Sequence, residues 1–207
     1  MRKRKNTILR PLDIIFSAPS HIAILRALKN VKEGLSGREV ARRAGINHQT
    51  CADALIRLES RGVILRLGSG KTQLFRLNHN SSLVGSVILP MLAAEQNQFS
   101  LMRAALARIM NGKCISGILF GSSARGEETP ESDFDIALIV EKKARNLPEV
   151  IRTLVQEGNE KWGIMISPII MTCSEFIKRA DREDPLVMDI LNEGIVLYGK
   201  PPQALMK

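Results

Sequence analysis

Apolar residues recur at helical spacing through the first sixty positions. Ile22, Ile24, Leu25 and Leu28 follow Ser20, which predicts a helix over about residues 20–31 with Ser20 as its cap. Ser36 opens a second short helix through Val40 and Ala41. Gly45 closes it, glycine being suited to the left-handed position after a helix end. Asn47 caps a third helix to about Ser60, with Ala54, Leu55 and Leu58 turned inward. The pattern then changes to short apolar runs over 63–67 and 72–77, joined by a glycine-rich tip at 68–71, which reads as a β-hairpin. Residues 81–111 return to helical spacing through Leu83, Val87, Ile88, Leu92, Phe99, Met102, Leu106 and Ile109. Pro90 interrupts them, so one long kinked helix or two are expected. The rest alternates: strand 114–120, short helix 122–126, strand 133–140, helix 147–161, strand 163–171, helices 174–181 and 185–192, and a last strand 195–198. That is an α/β order.

Charge divides the chain in the same place as the pattern. Residues 1–80 carry sixteen Lys and Arg against five Asp and Glu, whereas residues 81–207 are close to neutral. An excess confined to one half implies two units with different partners, the basic one facing a polyanion. The expected layout is a basic domain over 1–80, a helical linker over 81–111 and an α/β domain over 112–207.

The densest chemistry lies at 121–140, GSSARGEETPESDFDIALIV. Alternate strand residues share a face, so Asp133 and Asp135 project side by side while Phe134 and Ile136 face the core. Two neighbouring carboxylates repel, and a divalent cation resolves the repulsion. Mg²⁺ commonly takes one or two carboxylates and completes its octahedron with substrate phosphates. Gly121 and Ser122 lie where a strand meets a helix N-terminus, a place that attracts phosphate. This arrangement of Gly-Ser, Arg125-Gly126, an acidic loop and Ser132-Asp133-Phe134-Asp135 resembles the minimal nucleotidyltransferase family of the DNA polymerase β superfamily. The likeness covers about 109–198. It implies that Asp133 and Asp135 bind metal, Mg²⁺ or Mn²⁺, and carry the catalysis. It also implies that Gly121, Ser122, Arg125 and Ser132 hold a nucleoside triphosphate.

The family pattern has a third acid on a later strand, and this chain departs from it. The corresponding strand, GIMISPIIM over 163–171, contains no acid. Ser167 stands about where it belongs, with Glu160 and Glu175 outside the strand on either side.

Three helices and a glycine-tipped hairpin resemble the winged helix-turn-helix family over about residues 11–80. In that family the third helix enters the major groove and the wing touches the backbone or minor groove. By position this puts Asn47, His48, Gln49, Thr50 and Arg57 toward bases and Lys71, with Arg66 or Arg76, on the wing. Asn and Gln can pair with adenine and Arg with guanine. Arg38, Arg42 and Arg43 on the preceding helix suit phosphates. Against this, Asn47 also reads as a plain helix cap, and winged helices also serve as protein-interaction modules.

Cys51, Cys114 and Cys173 are odd in number and lie in apolar segments, which favours buried thiols in a reducing cytoplasm over disulfides. His21, His48 and His79 have no zinc-ligand spacing. The basic start, MRKRKNTILRP, lacks the apolar core of a secretion signal, and no stretch is long enough to span a membrane. No GxxxxGK[ST], GxGxxG or GxSxG motif occurs, which excludes P-loop, Rossmann and α/β-hydrolase readings.

The fold expected is therefore two domains, an α+β winged helix-turn-helix followed by an α/β nucleotidyltransferase-like mixed sheet. The function expected is binding of double-stranded DNA by the first. The second is expected to transfer a nucleoside monophosphate from a triphosphate to a protein, small-molecule or RNA acceptor, or to bind nucleotide without catalysis as part of a transcriptional regulator. A homodimer through the long helix is a further expectation.

Overall fold

The computed structural model describes residues 10–68, 73–127, 129, 132–141 and 147–206. The chain divides into two compact units, Met1–Asn97 and Gln98–Lys207.

In the first unit α1 (Leu12–Ile15) and α2 (Pro19–Leu28) precede a two-residue strand, β1 (Leu35–Ser36). Then come α3 (Gly37–Ala44), α4 (His48–Glu59), and the strands β2 (Ile64–Leu67) and β3 (Leu74–Leu77). Pro19, not Ser20, opens α2: its fixed φ suits the first helical turn, where its missing N–H is not needed. Ser36 caps α3 by accepting from the Glu39 N–H, and Gly45 ends it at φ 65°. Asn47 caps α4 by accepting from the Thr50 N–H at 2.8 Å. The three strands form an antiparallel sheet in the order β1-β3-β2. Strand β1 is too short to leave a periodic signature and exists through its pairing with Leu74 and Phe75.

The core of this unit gathers Ile24, Leu25, Leu28, Val40, Leu55, Leu58 and Leu77. It also takes in Val84, Ile88 and Leu92, from beyond the hairpin. His21 is buried among them, its Nδ1 hydrogen-bonding the Ile14 carbonyl at 2.7 Å and so tying α1 to α2.

A wide π-type turn, Val84–Ile88, leads into the long helix α5 (Leu89–Met110). The irregularity falls just ahead of Pro90, whose ring excludes a normal bond to the preceding turn. The Leu89 N–H reaches back five residues to Val84 instead. The helix gives its first residues to the first unit and the remainder to the second.

The second unit is built on β4 (Ser116–Phe120), β5 (Phe134–Val140), β6 (Ile166–Thr172) and β7 (Ile195–Gly199). Their spatial order is β6-β5-β4-β7. Strands β5 and β6 are parallel and the other pairs antiparallel, so the sheet is mixed. A one-turn helix α6 (Ser122–Arg125) follows β4. Helix α7 (Leu147–Glu157) ends in a second π-type turn, Gly158–Trp162. Helices α8 (Cys173–Ala180) and α9 (Pro185–Glu193) separate β6 from β7, and a 3₁₀ turn, Pro202–Met206, closes the described chain.

The sheet is covered on both faces, which explains the unbroken apolar run of β5. Ile136 and Leu138 pack with Met102, Leu106 and Met110 of α5 and Val150 and Leu154 of α7. Ala137 and Ile139 pack on the other face with Phe176, Val187 and Ile190 of α8 and α9. Burial holds the Cys114 thiol up at about 11 and also raises that of Cys51, so both stay protonated packing groups. Among the described residues no helix is long and apolar enough to cross a membrane.

Candidate active site and nucleic-acid interface

Asp135 lies at the centre of the strand ends. It pairs with Phe120 of β4 on one side and Ser167 of β6 on the other. Gly121, the residue after β4, adopts φ 73° and ψ −156°, a region open essentially to glycine alone. A β-carbon there would stand 2.8 Å from Asp135 Oδ2, so the bare glycine backbone is what lets the carboxylate lie against the turn. On the other side the parallel register sets Ser167 next to Asp135. Asp133 is exposed immediately before β5, and its carbonyl accepts from Ser123 Oγ at 3.3 Å.

Burial raises the Asp135 pKa, the Asp133 charge raises it further, and the Ser167 hydrogen bond partly opposes them. Among the described residues neither carboxylate has a Lys or Arg partner. Two hard oxygen donors that repel each other beside free backbone N–H groups suit a divalent cation. Among the described residues no group of three His, Cys, Asp or Glu is gathered for metal binding.

The phosphate side is more engaged than its motif implies. Helix α6 is a single turn, leaving the N–H groups of Ser122 and Ser123 outside any helical ladder but contributing little macrodipole. Arg125 donates to Glu127 at 2.8 Å and to Glu193, the last residue of α9, at 3.2 Å. These carboxylates raise its pKa further. Ser132 accepts from the Thr129 N–H at 2.9 Å and so closes the loop ahead of Asp133. Glu175 belongs to a capping box at the start of α8, accepting from the Thr172 N–H at 2.7 Å, and Glu160 accepts from Gln156. Neither stands in the strand register that aligns Ser167 with Asp135.

In the first unit, Arg38, His48, Thr50 and Arg57 are exposed. A groove of about 540 Å³ between the starts of α3 and α4 and strand β3 is lined by Arg38, His48, Gln73 and Phe75. Arg42 forks onto Glu39 and Arg43 donates to it through Nε, together holding its carboxyl down at about 2. Asn47 Oδ1 caps α4, which leaves its amide N–H groups for a partner. Gln49 donates to Asp53 at 3.2 Å. Arg66 pairs with Glu59 and lies over the Phe75 ring, while Arg76 reaches the Lys32 carbonyl. Lys71 falls outside the described residues.

Sequence reasoning did not find the Glu127 and Glu193 partners of Arg125, nor Met165, the most exposed large apolar side chain described, just ahead of Ser167. Only the alternation of Met165 with Ser167 hinted that the two share a face.

With the mixed sheet, the Gly-Ser turn and the paired aspartates in place, the comparisons identify both halves. The nucleotidyltransferase domain family matches residues 111–197, and the winged helix-turn-helix DNA-binding family matches residues 18–64. The chain therefore joins a winged helix-turn-helix domain to a nucleotidyltransferase domain. A curated protein of Methanocaldococcus jannaschii named "Putative protein adenylyltransferase" is 36% identical over 93 residues, which is 42% of this chain and 59% of that protein. The match thus spans about three-fifths of the relative's length. A solved structure of TrmBL2, described as an archaeal chromatin protein, aligns with 86% of this chain and 72% of its own. Identity is 17% and the TM-score 0.28, too loose an overlap to carry weight.

Proposed function

We propose that this protein binds double-stranded DNA through its first unit. Its second unit transfers a nucleoside monophosphate, with Mg²⁺, from a triphosphate to an acceptor hydroxyl. The observation that carries the second part is the placement of Asp133 and Asp135 on one face, Asp135 lying against the Gly121 turn. Asp133 and Asp135 are the groups that would hold the divalent cation, which when bound neutralises triphosphate charge. The N–H groups of Ser122 and Ser123 lie beside them, and Arg125 exchanges weak, exposed carboxylate partners for phosphate oxygens. Those partners are exposed and screened by solvent, whereas a phosphate fork is bidentate and charge-assisted. The protein's part in such a transfer is positioning and electrostatics. The name of the archaeal relative supports ATP as donor and a protein hydroxyl as acceptor.

The basic charge of residues 1–80 supports the DNA assignment, with Arg38, His48, Thr50 and Arg57 exposed for contact and the amide of Asn47 for a base. Gln49, Arg42 and Arg43 reach DNA by releasing Asp53 and Glu39.

Ser167 in place of an acid favours a second reading, a regulator that binds nucleotide without turning it over. One experiment separates them. The full chain is incubated with α-labelled ATP, Mg²⁺ and cell lysate while Mg·ATP binding is measured by calorimetry. Binding with label transfer supports the enzyme; binding without transfer supports the sensor; no binding removes both.

A further inference from the structure

Away from the paired aspartates, a groove of about 340 Å³ opens at the edge of the sheet, lined by Ile170 and Met171 of β6 and by Glu175, Lys178, Arg179 and Arg182. The register sets Met171 beside Ile139, roughly 13 Å along β5 from Asp135. The four charged residues recur at three- and four-residue spacing, so α8 and the turn after it present them on one side. Phe176, between them in sequence, packs into the core. The turn is held by its own backbone. The N–H groups of Arg182 and Asp184 both reach the Arg179 carbonyl, at 3.2 and 3.0 Å, and Glu183 takes the uncommon φ of 53°. The backbone that carries Arg182 is therefore fixed beside the groove.

The charges differ in how they are engaged. Arg179 forks onto Asp184 through Nε and Nη2, both at 3.1 Å, and its Nη1 lies 3.5 Å from the Met171 sulfur. Its guanidinium is thus oriented in advance, with N–H groups left on Nη1 and Nη2 for a further acceptor. Lys178 and Arg182 are exposed, and among the described residues neither has an acidic partner. Glu175, the carboxylate of the lining, accepts from the Thr172 N–H in the capping box of α8. Lys178 and Arg179 suit the negative end of a helix dipole, but Arg182 lies past that end. A half of the chain that is close to neutral thus gathers three cations around one small concavity.

We propose that this groove binds a small phosphate monoester, as a site separate from the one at Asp133 and Asp135 and independent of the transfer reading. A carboxylate brings one charge and two oxygens, whereas a phosphate monoester brings nearly two charges at pH 7 and three acceptor oxygens. Two guanidinium groups and an ammonium match the second better, the forks for paired oxygens and the lysine as a point charge. The size of the groove belongs to the lower end of small-ligand sites. A duplex would instead offer singly charged phosphodiesters along a convex rod. Ile170 and Met171 form the apolar side, on which the organic group of the ester rests, and a thioether adapts to a flat one. Lys178 and Arg182 take the phosphate oxygens, and Arg179 adds its remaining N–H groups without leaving Asp184.

The test uses the full chain in metal-free buffer, with inorganic phosphate, ribose 5-phosphate, AMP and acetate as probes, followed by calorimetry and by amide shifts in NMR. The phosphate probes should bind and move the amides of Ile170, Met171, Lys178 and Arg182 first. Both esters should bind more tightly than inorganic phosphate, and acetate far more weakly. Tighter binding of AMP than of ribose 5-phosphate assigns the ester to a nucleotide, and equal binding assigns it to a sugar phosphate. Lys178→Gln and Arg182→Gln should each weaken binding roughly 5- to 10-fold, as for a charge-assisted contact partly screened by solvent, and Arg182→Lys should recover part of the loss. Absence of binding, acetate as tight as phosphate, inorganic phosphate as tight as its esters, or unchanged affinity in both glutamine variants overturns the proposal. So do shifts centred on Asp135 or on α3 and α4. Duplex DNA that moves the same amides more strongly than any probe would make this surface a nucleic-acid contact and overturn it as well.

Discussion

Replacing Asp135 with Asn should make the protein more stable and less capable at once. Asp133 and Asp135 stand two residues apart on an extended chain, so their charges are roughly 7 Å apart. Two unit charges at that distance repel by about 0.6 kcal/mol in water and about 2.4 kcal/mol at an effective dielectric of 20. Asp133 is exposed and Asp135 only half-buried, so solvent screening puts the relief nearer ~1 kcal/mol. For a unit of this size that corresponds to a rise of a few degrees, about 3–5 °C, in melting temperature. The sign follows from the pKa. Burial and Asp133 raise the Asp135 pKa in the folded state, so its ionised form is penalised there. The penalty is absent below the ordinary carboxyl range and grows as pH rises through the folded value. Asp135→Asn should therefore melt above wild type at pH 7 in metal-free buffer, and the two should converge toward pH 3–4. Mg·ATP should raise the melting temperature of wild type only. A variant less stable at pH 7, a pH-independent difference, or retained Mg·ATP binding would refute the reasoning.

Gly121→Ala should cost about 1–3 kcal/mol from the disfavoured backbone and displace Asp135, seen as lost Mg·ATP binding with an intact circular dichroism spectrum. Asn47→Ser keeps a good helix cap but removes the amide donors, so its unfolding free energy should stay within about 0.5 kcal/mol of wild type while base discrimination falls. Discrimination that survives would make Asn47 a cap alone. Arg38→Ala should reduce the salt slope of DNA binding by about 0.9, as expected for one lost phosphate contact; an unchanged slope would remove Arg38 from the interface. Ser167→Asp puts a third carboxylate beside Asp135, so a Mg²⁺-dependent gain in melting temperature or transfer is expected. A metal-independent loss of stability would instead place residue 167 in the core.

The features legible in the sequence obey local rules. Gly45 ends α3 and Asn47 caps α4 because each need is met within a few residues, and the helix-turn-helix follows from them. Alternation along one strand is equally local, so the shared face of Asp133 and Asp135 could be read directly. Pairings across long stretches of chain could not. Arg125 meets Glu193 because β4 and β7 are neighbours, and Ser167 meets Asp135 through a parallel register that no short pattern encodes. Ser20 has the side-chain type of a cap, but the fixed φ of Pro19 starts the helix there and moves the cap position to Ala18. Strand β1 owes its existence to a partner nearly forty residues away.

Strand β6 is one edge of the four-stranded sheet, and an open edge is a template on which other chains can grow. Because the Phe134 N–H bonds the Met165 carbonyl, the odd-numbered residues of β6 turn their backbone groups toward β5 and the even-numbered ones turn them outward. Pro168 is among the latter. The stretch Ile166–Thr172 is apolar and β-prone, and at the middle of its exposed border a donor is missing where an incoming strand would need one. During synthesis, before its two flanking helices have packed, this apolar edge segment thus carries its own interruption, and neighbouring nascent chains meet a broken ladder there.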